Sequence, residues 1–108
     1  MIKLTLYCLT NGENEYYCGK AVNFPRRLYE HRIGRGSDAT RTWSTVEVYY
    51  TTEAEIAQAR DGYFLELGFT EQMRRQLPGM MVYGPGDHKK QGYISKKRKR
   101  NEGSTFSF

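Results

Sequence analysis

The sequence predicts an α+β domain in which a β-hairpin is followed by a helix, a third strand and further helical segments. The hairpin is indicated by alternating apolar and polar residues over 2–9, followed by turn residues and a second strand pattern over 15–19. Helical periodicity follows between glycine, proline and asparagine breakers. With 108 residues and 38% apolar side chains, the chain suffices for one domain with a modest core.

The hairpin places two tyrosines near each other. Asn11-Gly12 supplies the turn chemistry between the strands. Tyr7 belongs to the polar face of the first strand, and Tyr17 can face it from the second. Gly19 closes the second strand, where the missing Cβ allows another group to approach the backbone.

The first helix is predicted from an N-cap at Asn23, with Pro25 in the first turn, to about Arg32. Arg27 and His31 lie one turn apart on its polar face. This pattern suits binding of a phosphodiester, although a merely solvated helix face would show it too.

The second half of the domain begins with a basic loop over 34–38 and a third strand over 46–50. Thr52 and Glu55 form a capping-box pattern, which predicts a second helix to about Leu67 that stops at Gly68. Thr70 is in position to cap a third short helix over 71–77.

An acidic residue falls on the predicted core-facing stripe of the second helix. Asp61 is surrounded there by small and apolar residues, so its charge needs an arginine or a metal ion as a partner. Gly62 indicates close approach of another segment, because it weakens a helix by roughly 1 kcal/mol relative to alanine. The stripe comprises Ala54, Ala57, Asp61, Phe64 and Leu65.

The net charge of +5 resides in the C-terminal part of the chain. Residues 1–78 are neutral overall, whereas 79–108 contain seven basic and two acidic residues. Such a run attracts phosphates, although it could also be a solvated tail or a nuclear address. The basic run is Lys96, Lys97, Arg98, Lys99 and Arg100.

Composition excludes several classes of protein. No stretch approaches the ~20 apolar residues of a membrane span, and the N-terminus does not have the pattern of a signal peptide. Cys8 and Cys18 are too few for a disulfide framework or a zinc site, and we interpret them as small core residues. We therefore expect a reduced, cytoplasmic protein without a membrane partner.

The ordered set of motifs over residues 3–77 resembles the GIY-YIG nuclease domain. Thr5-Leu6-Tyr7 stands in place of Gly-Ile-Tyr, and Tyr17-Cys18-Gly19 in place of Tyr-Ile-Gly, with the tyrosines ten positions apart. Arg27 and His31 match the family's Arg-x-x-x-His helix. The resemblance implies a small three-stranded antiparallel sheet flanked by helices over 1–80, followed by a basic C-terminal tail over 81–108.

The resemblance also implies how the site would work. Arg27 would neutralise charge on the phosphoryl oxygens, and Tyr7 or Tyr17 would take a proton from the attacking water. Lys20 would lower the pKa of the tyrosine base, and His31 would orient the base or contact the phosphate. Asp61 would hold Mg²⁺ or Mn²⁺ where the family has glutamate, with Glu66 as a fallback ligand.

We therefore expect a metal-dependent endonuclease with low or short sequence specificity, acting on double-stranded DNA in a bacterial or phage-infected cell. Nucleic acid would be held by Arg26, Arg35, Arg41 and the basic tail. One site cuts one strand, so double-strand cleavage would require a homodimer or a second encounter. The alternatives are a catalytically degenerate module that binds nucleic acid or a host protein, and a small RNA-binding or ribosome-associated protein.

Overall fold

The computed structural model describes residues 1–85; the basic run at 96–100 lies outside them. Four strands form one mixed sheet flanked by helices, which confirms the α+β class but adds one strand to the expected three. The elements in chain order are β1 (Ile2–Thr10), β2 (Glu15–Ala21), α1 (Phe24–Arg32), α2 (Asp38–Arg41), β3 (Glu47–Ile56), α3 (Ala59–Gln76) and β4 (Met81–Tyr83).

The sheet has the strand order β3-β1-β2-β4. β1 pairs antiparallel with both β2 and β3, and the hairpin register aligns Tyr7 with Gly19. β4 is parallel to β2 and pairs only with its first three residues, Glu15 to Tyr17. The sheet therefore extends past residue 80, where the sequence predicts the start of the tail.

Two apolar clusters lie on the two faces of the sheet, because neighbouring side chains of a strand point in opposite directions. On one face, Leu6 and Cys18 pack with Phe69 of α3. On the other, Tyr7 and Tyr17 pack with residues of α1 and α2. Both cysteines are free and buried, as expected for core residues.

The first helix agrees with its sequence signals. The side chain of Asn23 accepts a hydrogen bond from the Arg26 backbone at 3.2 Å, Pro25 lies in the first turn, and the helix ends at Arg32. Gly34 then adopts a φ of +82°, a conformation that glycine reaches without strain.

The expected helix start at Thr52 is wrong. Thr52 and Glu55 belong to β3, where they pair with Leu6 and Lys3 of β1. The long first strand needs a partner along its whole length, and strand pairing overrides the local capping signal.

The second and third predicted helices are one continuous helix, α3. Gly68 does not end it, and Thr70 is buried within it, where its hydroxyl donates to the Glu66 carbonyl at 2.7 Å. Gly62 packs as expected at a close approach, since a Cβ there would lie 3.2 Å from Lys20 and 3.3 Å from Leu4. Within residues 1–85, no helix is long and apolar enough to cross a membrane.

Candidate active site

Tyr7 and Gly19 form the centre of the candidate site. The Tyr7 side chain is only 1% exposed, and its ring crosses the backbone of Gly19 on the neighbouring strand. A Cβ at position 19 would lie 2.6 Å from the Tyr7 hydroxyl oxygen. A side chain at this position would force the tyrosine to shift, so the close packing depends on glycine.

His31 holds the Tyr7 hydroxyl from α1. The distance from Tyr7 Oη to His31 Nε2 is 2.9 Å, and the other ring nitrogen, Nδ1, lies 2.9 Å from the hydroxyl of Thr40. Gly36 packs against the imidazole so closely that a Cβ would overlap it. Burial, and secondarily the charge of Arg27, lowers the pKa of His31 to about 4, so the ring is neutral at physiological pH.

Arg27 lies beside this pair at the surface. Its guanidinium donates to the carboxylate of Glu30 at 2.9 Å and to the backbone carbonyl of Gly36 at 3.0 Å. It also acts to lower the pKa of Tyr7. The side chain is 37% exposed, so a substrate phosphate can reach a guanidinium whose position is already fixed.

Both tyrosines have a raised pKa. Burial is the largest cause in each case, and Arg27 acts in the opposite direction on both. For Tyr17 the second cause is the negative charge of Glu66. Lys20 pairs with Glu66 at 3.3 Å, and the role expected of Lys20, lowering the pKa of the tyrosine base, stays a prediction.

The structure corrects the position of the acidic residue. Asp61 lies half-buried in the first turn of α3, and Phe64 of the expected core-facing stripe is 66% exposed. Glu66 is 7% exposed and belongs to the helix face that packs on the sheet. The expected core-facing stripe is misplaced because the capping signal at Thr52 lies well before the true helix start at Ala59. The buried residues of α3 are Gly62, Glu66, Phe69, Thr70 and Met73.

Tyr17, Gly19 and Lys20 all come from β2, near one edge of the sheet. Within residues 1–85, β4 covers only the beginning of β2, so the backbone of residues 18–21 has no strand partner on that edge. Tyr17 and Gly19 belong to one face of the sheet, and Lys20 points to the other, where it meets Glu66. The charge of Glu66 acts on both tyrosines across this edge.

A divalent cation fits this arrangement. Within residues 1–85, no group of three or more His, Cys, Asp or Glu side chains forms a complete protein cage for a metal. Mg²⁺ is commonly bound by one or two carboxylates, with water and substrate phosphates completing its shell. A single buried carboxylate such as Glu66 suits that type of site.

The basic residues expected to bind nucleic acid lie around α1 and the loop that follows it. One surface groove of about 450 Å³ is lined by Arg26, Arg27 and Arg35. A second of about 280 Å³ is lined by Arg35, Ser37 and Arg41. The two grooves share Arg35, which links them to the Arg27 end of the site.

This fold and arrangement of tyrosines, arginine and histidine define a GIY-YIG domain. The family model of the GIY-YIG catalytic domain matches residues 3–67, and the chain belongs to that family. Its members are nucleases that act on nucleic acid, so a nuclease-type activity is implied.

Two relatives are bacterial proteins. The UPF0213 protein of Limosilactobacillus reuteri is 30% identical over 74 residues, which cover 68% of this chain and 77% of the relative. The UPF0213 protein VPA1222 of Vibrio parahaemolyticus is 25% identical over 75 residues, covering 68% and 70%. No solved structure matches the chain.

Sequence reasoning named Glu66 only as a fallback ligand, off the expected core-facing stripe, and it missed the contacts of Ser37 and Thr40. Glu66 has a signal in the sequence, since Gly62, Phe69 and Met73 lie at helical spacing on its own side. Ser37 and Thr40 have no comparable signal, because hydroxyl residues are common in loops and their partner His31 comes from a separate helix.

Proposed function

We propose that this protein is a metal-dependent endonuclease that hydrolyses phosphodiester bonds in DNA. The observation that carries the proposal is the partly exposed guanidinium of Arg27, held by Glu30 and Gly36 and acting on the buried Tyr7 that His31 binds. The nearly buried carboxylate of Glu66, whose charge acts on both tyrosines, supports it.

Arg27 binds and neutralises the scissile phosphate in this proposal. A planar guanidinium can donate to two phosphoryl oxygens at once, and its stabilisation is greatest as charge develops in the transition state. The contacts with Glu30 and Gly36 hold it in place beforehand, so little reorganisation is needed when substrate binds.

Tyr17 accepts the proton of the attacking water. It is less buried than Tyr7, at 7% against 1% exposed, and the charge of Glu66 is the second-largest cause of its raised pKa. The water oxygen forms the new bond to phosphorus, its proton passes to the Tyr17 phenolate, and the leaving oxygen departs with the electron pair. His31 and Tyr7 position these groups.

Glu66, rather than Asp61, would hold the divalent cation. When bound, the cation supplies positive charge that polarises the phosphate and offsets the negative charge of Glu66 on Tyr17. Lys20 keeps the carboxylate in place at 3.3 Å.

The DNA strand would follow the two grooves that share Arg35, with Arg26 and Arg41 contacting neighbouring phosphates. These contacts are directed at the backbone, which predicts low sequence specificity. The basic run over 96–100 adds affinity by releasing counterions. Cleavage of both strands would require a second copy or a second encounter.

The test is nicking of supercoiled plasmid in Mg²⁺ or Mn²⁺, with EDTA as the metal-free control. We expect Arg27→Ala and Glu66→Gln each to lower the single-turnover rate by about 10²-fold or more. Asp61→Asn and Arg60→Ala are matched controls on α3 and should cleave within about threefold of the native rate.

The outcomes separate the proposals. Loss of cleavage in Asp61→Asn but not in Glu66→Gln would overturn the assignment of the metal ligand. Tight DNA binding without metal-dependent cleavage would support the degenerate binding module instead.

A further inference from the structure

A chain of hydroxyl groups continues from the Tyr7–His31 pair. The Thr40 hydroxyl lies 2.9 Å from His31 Nδ1, and the Ser37 hydroxyl lies 3.2 Å from that of Thr40. Hydrogen bonding from Ser37 in turn acts to lower the pKa of Tyr17. The hydrogen-bonded chain thus runs from Tyr7 through His31 and Thr40 to Ser37, and the ring centroids of the two motif tyrosines lie 6.4 Å apart.

The burial of Tyr7 gives this chain one direction. The Tyr7 hydroxyl is 1% exposed, so its proton needs a protein acceptor, and His31 Nε2 lies 2.9 Å away. The Tyr7 proton then points to Nε2 of His31, and a neutral imidazole that accepts at Nε2 must donate from Nδ1.

The same direction continues through α2 and its N-cap. The Nδ1 proton of His31 goes to Thr40, and the buried Thr40 hydroxyl then has the Ser37 oxygen, 3.2 Å away, as the acceptor for its own proton. The Ser37 oxygen also accepts from the Thr40 backbone at 3.2 Å, and hydrogen bonding from Ser37 acts to lower the pKa of Tyr17. Every donor from Tyr7 to Ser37 thus points in one direction.

We propose that Ser37 and Thr40 are positioning residues: they hold His31 in its Nδ1–H form, keep Tyr7 a hydrogen-bond donor and present a donor to the oxygen of Tyr17. The catalytic consequence rests on the proposed nuclease function, in which Tyr17 accepts the proton of water. The tautomer itself is a property of the folded chain and is measurable without substrate.

Burial is the reason that Thr40 of α2 and the N-cap residue Ser37 can control the tautomer. His31 and Thr40 are each 1% exposed, so bulk water does not replace a missing partner of Nδ1. Removing the Thr40 hydroxyl leaves an Nδ1–H group without its acceptor, which costs free energy. We expect the ring to shift its proton to Nε2, which then donates to Tyr7 and reverses the first half of the chain.

The first experiment measures the ring tautomer directly by ¹⁵N NMR of histidine-labelled protein at pH 7. The chain has two histidines, and His88→Gln leaves His31 as the only one. We expect the Nδ1–H tautomer in this background and in Thr40→Ser, and a shift towards Nε2–H in Thr40→Val. The exposed neighbour Thr42→Val is the matched control and should keep the tautomer.

The second experiment measures the nicking kinetics of the same variants over a range of plasmid concentrations. Thr40→Val and Ser37→Ala should lower kcat by about tenfold or more with KM unchanged, whereas Thr40→Ser should remain within about threefold. A raised KM with kcat unchanged would indicate a binding role and overturn the positioning role.

The two readouts fail independently. An Nε2–H tautomer in the native chain, or an unchanged tautomer in Thr40→Val, overturns the inference whatever the activity. If the protein shows the expected tautomers but cleaves no DNA, the direction of the hydrogen-bonded chain is supported and the proposed nuclease function is refuted.

Discussion

The replacement Gly19→Ala tests the steric basis of the site. The added methyl group would lie 2.6 Å from the Tyr7 hydroxyl oxygen and 2.7 Å from the adjoining ring carbon. Carbon atoms in contact are ordinarily about 3.5–4.0 Å apart, so the ring would have to retreat by about 0.8 Å. The Tyr7 ring has little room to move, because its centroid lies 5.1 Å from that of the Phe24 ring and its hydroxyl is hydrogen-bonded to His31.

Overpacking of this kind destabilises a core by about 1–3 kcal/mol. For a domain of this size each kcal/mol lowers the melting temperature by about 4–8 °C. We therefore expect Gly19→Ala to melt about 5–20 °C below the native protein. It should also cleave DNA more slowly, because a displaced Tyr7 no longer aligns with His31.

Thermal melts followed by circular dichroism provide the assay, and Gly68→Ala is the matched control. Gly68 lies inside α3, and a methyl group added there would meet nothing within 4 Å, so alanine should stabilise the helix by about 1 kcal/mol. If Gly19→Ala melts at or above the native temperature, the close packing of Tyr7 on Gly19 does not exist as described.

Three further predictions concern pH and charge. The pKa of His31 is about 4 in the fold and near 6.5 when unfolded, so acidification from pH 6.5 to 4 should cost roughly 3 kcal/mol of stability. Urea unfolding midpoints should show this loss in the native chain and a smaller loss in His31→Gln. Because the pKa of Tyr17 is raised, the nicking rate should increase about tenfold per pH unit from pH 7 to 9, and a flat profile would argue against a tyrosine base. Deleting residues 89–108 should weaken DNA binding and flatten its salt dependence, both measured by fluorescence anisotropy, and should leave the melting temperature unchanged. If the salt dependence of binding is unaltered, the tail is not a DNA contact.

The hairpin and the first helix were predictable because their signals are local. Asn11-Gly12 specifies a turn, and Asn23 with Pro25 specifies a helix start, through backbone preferences that act within a few residues. The motif residues were predictable for the same reason, since their spacing is a property of the chain alone; they are Tyr7, Tyr17, Arg27 and His31.

The second half was misinterpreted because two local signals competed there. Thr52 and Glu55 fit a capping box, but Thr52, Ala54 and Ile56 also alternate with Glu53 and Glu55 as a strand does. Pairing with the full length of β1 decides in favour of the strand. Because the predicted helix started too early, Asp61 was expected to face the core, whereas Glu66 does so in the structure.

The sequence by itself determined the family, the α+β class and the residue types of the site, because these depend on short-range patterns and motif spacing. Only the tertiary structure decided that Glu66 meets Lys20, and that Thr40 and Ser37 extend the hydrogen-bonded chain from His31. Those contacts join groups from separate elements over distances of a few ångströms. The register of the strands and the packing of α3 set such distances, and neither is encoded in the spacing of residues along the chain.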